Sequence, residues 1–263
     1  MKIILGLMII LAVIGGFTYY VWNSEQKPQP APVVAKEFQL GYSPSVPDPV
    51  PHRSVEIRPA RPTSTLPKLD DSDTNVTNEL THLFGRENLF AYLQSDKIIR
   101  RFVATIDNLP RKKAPQRMMV LKPVSGNFMV TETGLSQRII DPGNGKRYVG
   151  YVDLIQAVSV QSLVDLYIQL YPLCQQAYRE LGYPDGVFND RLMETLNDLL
   201  DAPEVSAPVG VAQPRVLYEF ADNDLEALSA GQKIMIRLGL ANEAKIKAII
   251  RKIRSEIQRR ART

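Results

Sequence analysis

The densest group of side chains that could carry chemistry lies toward the C-terminal end of the chain. It consists of four carboxylates within eight positions: Glu219, Asp222, Asp224 and Glu226. Carboxylates so placed could serve acid–base catalysis or hold a divalent cation. A helix cap at Asp222, followed by a solvent-facing helix, explains the same residues without a ligand. Glu219, Asp222 and Asp224 are therefore candidate binding residues whose role the spacing leaves open.

A second polar group, Asn189-Asp190-Arg191, follows the turn signal Tyr183-Pro184-Asp185-Gly186. Its carboxylate and guanidinium could hold a polar ligand in a cleft. The structural alternative is that Asn189 or Asp190 caps a helix and Arg191 forms a salt bridge. We expect the structural role and keep all three residues as candidates.

Asp107 and Asn108 end a predicted apolar helix, and the basic run 111–113 follows directly. Cations near a helix C-terminus are favoured by the exposed carbonyl groups and need no ligand to explain them. The functional alternative is an anion-binding patch that adds Arg117 and Lys122. On this alternative the candidate binding residues are Asp107, Asn108 and Arg111.

The region from 148 to 183 holds six of the eleven tyrosines. An aromatic ring with a polar tip suits contacts to sugars or peptides as well as the edge of a core. Tyr171 and Tyr178 are candidates for such contacts, although the edge of the core is the simpler role.

The remaining inventory argues against the commonest catalytic machineries. The chain has two histidines, His52 and His82, and one cysteine, Cys174. His52 lies in a proline-rich stretch and His82 in a predicted helix, so a mechanism that depends on histidine is poorly supported. No paired spacing suits zinc, and no glycine-rich loop suits a nucleotide phosphate. We expect no cofactor, no metal and no nucleic-acid partner, while carboxylate chemistry such as glycoside cleavage stays open.

The patterns around these residues predict a predominantly α-helical α+β fold. Apolar side chains recur at helical spacing at 73–84, 98–106, 151–181 and 188–200. Pro172 is expected to kink or split the third of these segments. Short apolar runs at 118–121, 128–130 and 138–140 predict two or three antiparallel strands, and 215–220 a further strand or extended arm. The prediction is one helical domain, residues 66–263, with a small antiparallel β-sheet inserted among the helices.

The last predicted element is a basic amphipathic helix at 242–260. Isoleucines at 246, 249, 250, 253 and 257 form a narrow apolar stripe, which we expect to dock on the domain. Residues 242–263 contain eight basic and two acidic residues, whereas residues 69–241 contain 17 and 22. Within residues 69–263 the basic character is therefore a property of this C-terminal segment. Its cationic side is expected to face solvent, with anionic lipid or an anionic wall polymer as the alternative.

Ile3 to Trp22 is a run of twenty residues without a charge. At about 1.5 Å per residue it would make a helix of about 30 Å, the thickness of a bilayer's hydrocarbon core. The run ends in aromatic residues that suit the headgroup boundary and lacks a following cleavage site, so an uncleaved anchor is favoured over a signal peptide. Lys2 on the short flank places residues 1–2 in the cytoplasm and the rest of the chain outside.

Residues 23–65 form a predicted disordered linker, because ten of the nineteen prolines lie between Asn23 and Lys68. Its extended backbone could hold the domain several tens of ångströms from the bilayer. The linker is either a spacer that carries the domain to a target or a tether whose length matters little.

Four stretches of the folded part carry a resemblance to a known family. They are LPKLDDSD at 66–73, IIRRFVATIDNLPRKKAP at 98–115, YPLCQQAYRELGYPDGVFNDRL at 171–192 and VLYEFADNDLEALSAGQKIMIRLG at 216–239. From about Leu66 to Arg254 the chain resembles the uncharacterised bacterial family called domain of unknown function 3014. The resemblance implies an N-terminal membrane segment and a proline-rich linker, hence an inner-membrane anchor with a periplasmic domain. It implies no activity and no active-site residue.

Two functions fit these observations. The first is a non-enzymatic envelope module, anchored in the inner membrane, whose periplasmic domain binds a protein partner or a wall polymer. The alternative is a carboxylate-dependent cell-wall or glycan hydrolase that uses acids from Asp190, Glu219, Asp222 or Asp224. The hydrolase requires two carboxyl groups that face each other across a cleft at about 5–9.5 Å.

Overall fold

The computed structural model describes residues 66–134, 137–206 and 208–261. Within these residues the chain is mostly helical with a small antiparallel sheet, as the sequence patterns predict. The predicted anchor at 3–22 and the predicted linker at 23–65 lie outside the described residues. Among the helices that are described, none combines the length and the apolar character needed to cross a membrane.

The helices follow one another with short connections. They are α1 (Asp73–Phe84), α2 (Arg86–Tyr92), α3 (Ile98–Asn108), α4 (Val149–Gln156), α5 (Val160–Glu180), α6 (Phe188–Leu200), α7 (Asn223–Ala227), α8 (Ala230–Leu238) and α9 (Leu240–Arg260). Shorter 3₁₀ segments lie at Leu69–Asp71, Gln116–Met118 and Pro142–Tyr148. The strands are β1 (Val130–Glu132), β2 (Arg138–Ile140), β3 (Gly210–Ala212) and β4 (Glu219–Phe220).

Helix α3 lies at the centre of the core, with eight of its eleven residues buried. The five residues predicted for its core face are among them: Ile98, Ile99, Phe102, Val103 and Ile106. Helix α3 packs against α5 and α6, and α9 packs against α5, α6 and α8. Burying one large apolar side chain is worth about 1.5–3 kcal/mol, so these interfaces supply the driving force for folding.

The start of α3 is capped from a distance by the acidic run at 70–73. Asp73 accepts hydrogen bonds from the backbone N–H groups of Lys97 at 2.6 Å and Ile98 at 2.8 Å. Those N–H groups have no carbonyl partner within their own helix, so the carboxylate satisfies donors that would otherwise be lost to solvent. Ser72, which precedes α1, donates its hydroxyl to the carbonyl of Leu69 and does not cap α1. The run therefore does not cap α1, the helix that it begins; Asp73 caps α3 instead.

Helix α5 is a single element from Val160 to Glu180, so Pro172 does not split it. Proline removes one backbone hydrogen bond to the carbonyl four residues earlier. Pro172 itself is exposed, whereas Leu170, Tyr171, Leu173 and Cys174 around it are buried. Burial of these neighbours offsets the lost hydrogen bond and holds the helix together.

The four strands form one antiparallel sheet in the order β1-β2-β3-β4. The strand predicted at 138–140 is confirmed as β2, and the one predicted at 128–130 lies two residues later as β1. Met118 ends the 3₁₀ segment Gln116–Met118, and Leu121 forms a single bridge to Leu93, so the strand predicted at 118–121 is wrong. Strand β3 was not predicted, because three residues are too few for an alternating pattern. It pairs with β2 across some seventy residues of intervening chain and buries Val211 against Phe220.

Helix α9 docks through its isoleucine stripe and also carries a buried ion pair. Lys247 Nζ lies 3.0 Å from Glu243 Oε1, and the two side chains are 3% and 1% exposed. Lys247 donates to the carbonyl of Ala202 at 2.6 Å and lies 3.3 Å from Glu204 Oε1. Burial raises the pKa of Glu243, and Lys247 opposes that rise. Lys247 was assigned to the solvent-facing side by sequence, and the segment after α6 covers it instead.

Lys247→Met is expected to lower the free energy of unfolding by about 3 kcal/mol, because it leaves the Glu243 carboxylate buried without its counter-charge. The double variant Glu243→Leu/Lys247→Met should recover most of that loss, since it removes both charges together. Urea unfolding measures both effects.

Lys245→Met on the exposed side of the same helix is the control and should change stability by less than about 0.5 kcal/mol. A double variant as unstable as the single one would contradict the ion-pair explanation.

Candidate functional site

Asp107, at the C-terminal end of α3, binds one candidate residue from the loop that follows α3 and another from α6. Its side chain is 7% exposed, and Oδ2 accepts from Arg111 Nη2 at 2.9 Å. Oδ1 accepts from Arg191 Nε at 3.2 Å, and that arginine is 13% exposed. A carboxylate so buried requires its charge to be matched, and two guanidinium groups do so.

The same two arginines also satisfy the end of the helix. The carbonyl of Asp107 accepts from Arg191 Nη2 at 2.6 Å and from Arg111 Nε at 3.1 Å. Carbonyl groups in a last helical turn lack intrahelical donors and carry partial negative charge. Arg191 reaches Asp107 from the first turn of α6, so the contact joins α3 to α6.

Two residues outside the predicted set complete this group. The hydroxyl of Tyr183 accepts from Arg111 Nη2 and donates to Asp107 Oδ2 at 3.4 Å. Glu194 Oε2 lies 2.7 Å from Arg191 Nη1. We call Asp107, Arg111, Tyr183, Arg191 and Glu194 the Asp107 cluster. The i to i+3 spacing of Arg191 and Glu194 could have indicated the second contact from sequence.

The tyrosine rings beside the Asp107 cluster are packed into the fold. Tyr178 stacks on Tyr183 with ring centroids 4.5 Å apart and planes 16° apart. Burial, together with the nearby Asp107 carboxylate, raises the pKa of Tyr183 and of Tyr178. Both hydroxyls therefore stay protonated at neutral pH. Tyr178 is buried, which fits the edge-of-core role.

The remaining candidates on α3, α5 and α6 also contact the protein itself. Asn108 donates to the carbonyl of Ala104 at 2.7 Å. Tyr171 donates to Gln175 Oε1 at 3.0 Å, and Asn189 accepts from the hydroxyl of Tyr167 at 3.2 Å. Helix α6 begins at Phe188, so neither Asn189 nor Asp190 is its cap, and that prediction is wrong. Because α6 starts at Phe188, Asn189 lies inside its first turn, where it is buried.

Gln175 ties α5 to the loop before α6, a role that sequence did not indicate. Its Oε1 accepts from the backbone N–H of Phe188 at 2.9 Å, and its Nε2 donates to the carbonyl of Gly186 at 2.7 Å. The amide thus replaces the missing cap at the start of α6, because it satisfies an N–H group there.

The carboxylates at 219–226 lie apart from the Asp107 cluster, on β4 and α7. Asp222 Oδ1 accepts from the backbone N–H groups of Asp224 at 2.8 Å and Leu225 at 3.2 Å, which confirms the capping interpretation. Glu219 and Asp224 are exposed. Glu226 accepts from the N–H of Phe220 and from Lys233 Nζ, both within 2.9 Å. Across the described residues, no three His, Cys, Asp or Glu side chains are grouped to hold a metal ion.

A cleft of about 420 Å³ lies where the 3₁₀ segment Leu69–Asp71 meets the start of α3. It is lined by Leu69, Asp70, Ser72, Asp73, Lys97, Ile99 and Arg100. Arg100 is ion-paired with Asp70 at 2.8 Å and also with Glu180. Asp73 is committed to its cap, so both acidic residues of the lining are engaged within the protein. None of the residues predicted from sequence lines this cleft.

The described part is thus a mostly helical α+β domain, and most of its polar candidates are engaged in internal contacts. The chain belongs to the family described as Protein of unknown function (DUF3014), whose family model matches residues 98–254. The match begins at α3 and includes the Asp107 cluster, whereas the quoted stretch at 66–73 lies before it. No curated protein and no solved structure matches the chain.

Asp107→Asn is expected to lower the free energy of unfolding by about 2–3 kcal/mol. The amide keeps the shape of the side chain but leaves Arg191 partly buried without a counter-charge, and Arg111 is partly solvated at 35% exposure. Chemical denaturation measures the loss.

Asp185→Asn in the exposed turn before α6 removes the same charge without touching the cluster. It should leave stability within about 0.5 kcal/mol of the parent. Equal effects of the two substitutions would show that Asp107 acts only through net charge.

Proposed function

We propose that this chain is a single-pass, membrane-anchored envelope protein whose folded domain is a non-enzymatic binding or scaffold module. The uncharged run at 3–22 supports the anchor, and its Lys2 flank supports a domain outside the cytoplasm. Prolines at 23–65 support a tether between the two. The binding role rests on the surface that the domain leaves apolar.

That surface lies at the sheet end of the domain. Five large apolar side chains there are 39–53% exposed: Met129, Val149, Val216, Leu217 and Leu240. We call these five residues the sheet-end surface. Large apolar groups in contact with water favour association with a partner that buries them.

Direct contacts join the elements that carry the sheet-end surface. The rings of Phe128 and Tyr218 lie 5.7 Å apart, next to Met129 and Leu217. The backbone N–H of Met129 donates to Asn144 in the 3₁₀ segment that precedes Val149. Asn242, near the start of α9, donates to the carbonyl of Gly145 in the same segment at 2.9 Å. Because one network holds these elements, their apolar residues belong to the same end of the domain.

A protein partner fits this surface better than a wall polymer. Val216 and Leu217 lie in the turn of the β3–β4 hairpin, and the neighbouring rings of Phe128 and Tyr218 contact each other, so the most exposed large side chains of this surface are not aromatic. Aliphatic anchors that enter a partner's pocket are a common source of binding energy in protein interfaces.

The hydrolase alternative has no comparable support in the described residues. Asp222 is committed to a helix cap, and Asp190, Glu219 and Asp224 do not line the 420 Å³ cleft. The two carboxylates that do line the cleft, Asp70 and Asp73, are engaged by Arg100 and by the first N–H groups of α3, so neither is free for the roles that glycoside cleavage requires.

The double variant Val216→Asp/Leu217→Asp is expected to reduce capture of the partner at least about tenfold, since each buried charge opposes association. Capture of a protein partner is measured by cross-linking the full chain in detergent extracts of envelopes. Binding of the chain to purified peptidoglycan is measured in a separate assay.

Leu181→Asp, which alters an exposed leucine at the end of α5, is the matched control and should capture the partner normally. Thermal unfolding of all variants checks that the fold is intact. Undiminished capture by the Val216→Asp/Leu217→Asp variant would show that the sheet-end surface is not the binding surface. Binding of the chain to peptidoglycan, with no protein captured, would show that the partner is a wall polymer and not a protein.

The anchor and its orientation are tested with reporters fused after Thr263. A reporter that works only outside the cytoplasm should be active in the full chain and inactive when residues 3–22 are deleted. Activity confined to a cytoplasmic reporter would reverse the orientation, and recovery of the full chain in the aqueous fraction after alkaline extraction would remove the anchor.

A further inference from the structure

We propose that the exposed face of α9 docks on an anionic lipid bilayer. The face consists of every exposed position between Ala241 and Arg259: Ala241, Ala244, Lys245, Ala248, Arg251, Lys252, Ser255, Gln258 and Arg259. At 3.6 residues per turn these positions cover an arc about 140° wide. We call this arc the cationic face, because it holds four cations and no acidic residue.

The cations of this face are arranged as a straight row with one addition. Lys245, Lys252 and Arg259 are seven residues apart, so they follow one line along the helix for about 21 Å. Arg251 lies on the opposite edge of the arc. A row of this length on a rigid, docked helix presents several charges to one plane at the same time.

Three of these cations are available to a partner. Within the described part of the chain, Lys245, Arg251 and Lys252 make no hydrogen bond or ion pair. The fourth cation of the face, Arg259, is paired with Glu256. Beside the face, Arg254 donates to Asn197 and Arg260 is paired with Asp165. The fold therefore leaves three of the four cations of the face uncompensated.

The shape of the face fits a plane rather than a groove-bound ligand. Alanine and serine occupy the middle of the arc at Ala244, Ala248 and Ser255, so the long cations at its edges project beyond them. No aromatic side chain lies on this arc to stack on a base or a sugar. Charge without stacking groups is typical of attraction to anionic headgroups, which adds about fivefold in partitioning for each basic residue near the surface.

A weak contact between the cationic face and the bilayer is sufficient if a tether keeps the domain close to the bilayer. Three uncompensated cations give about a hundredfold preference for an anionic over a neutral surface at low salt. The linker of the proposed function would keep the domain within several tens of ångströms of its own bilayer, so docking would be an intramolecular event. This inference rests on the proposed function only for the tether. The charge complementarity between the cationic face and an anionic bilayer comes from α9 itself.

The test measures how fast a water-soluble acylating reagent modifies lysines of the full chain reconstituted in vesicles. Acylation of Lys245 and Lys252 should be about threefold or more slower in vesicles that contain phosphatidylglycerol than in neutral phosphatidylcholine vesicles. The exposed lysines Lys97 and Lys112 serve as internal controls and should react equally in both. Salt at about 1 M, where the screening length falls to about 3 Å, should abolish the difference.

The variant Arg251→Gln/Lys252→Gln keeps Lys245 as a reporter and changes only exposed side chains. Its Lys245 should be acylated at the same rate in both kinds of vesicle. Equal rates in the parent chain would overturn the proposal. Protection of Lys245 by a soluble polyanion, with none from anionic vesicles, would also overturn it and would assign the face to a polymer.

Flotation separates this inference from the proposed anchor. With neutral vesicles at high salt, flotation of the chain depends on residues 3–22 alone. A chain that fails to float there but floats with anionic vesicles at low salt would refute the anchor and retain the cationic face. A chain that floats in both cases, but whose Lys245 and Lys252 are not protected from acylation, would support the anchor and refute docking of the cationic face.

Discussion

The buried helix α3 must have both of its ends satisfied, and much of the domain is arranged to meet that requirement. Its first N–H groups are capped by Asp73, which precedes them by 24 residues or more. Its last turn is held by Arg111 and Arg191, which bind both the carboxylate and the carbonyl of Asp107. A helix end that is buried without partners is costly, so these contacts fix where α1, α3 and α6 lie relative to one another.

Because helix ends must be satisfied, several polar candidate residues have structural roles. Residues that could hold a ligand by type, such as Asp107 and Arg191, are within hydrogen-bonding distance of one another and serve the fold. Gln175 and Asp222 likewise satisfy N–H groups at helix starts. Among the described residues, uncommitted groups include the three uncompensated cations of α9 and the exposed apolar side chains at the sheet end. The interactions proposed above rest on these two sets of groups.

The local patterns predicted those parts of the fold in which neighbours in sequence are also neighbours in space. The helix from Asp73 to Phe84, the buried face of α3 and the isoleucine stripe of α9 follow from a 3.6-residue period. The cap at Asp222 depends only on its side chain and on the N–H groups of the second and third residues that follow it. Pro172 does not split α5, because a propensity for breaking helices does not account for burial of the residues on either side.

The sequence by itself determined the helical class of the domain, the family resemblance and the candidate residue types. Only the tertiary structure decided those roles that depend on a partner far along the chain. Asp107 meets Arg191 across 84 residues, Lys247 meets the carbonyl of Ala202 across 45, and β2 meets β3 across a comparable distance. Periodicity and propensity report only on neighbours within a few positions, whereas the energy of a buried charge depends on whatever the fold places beside it.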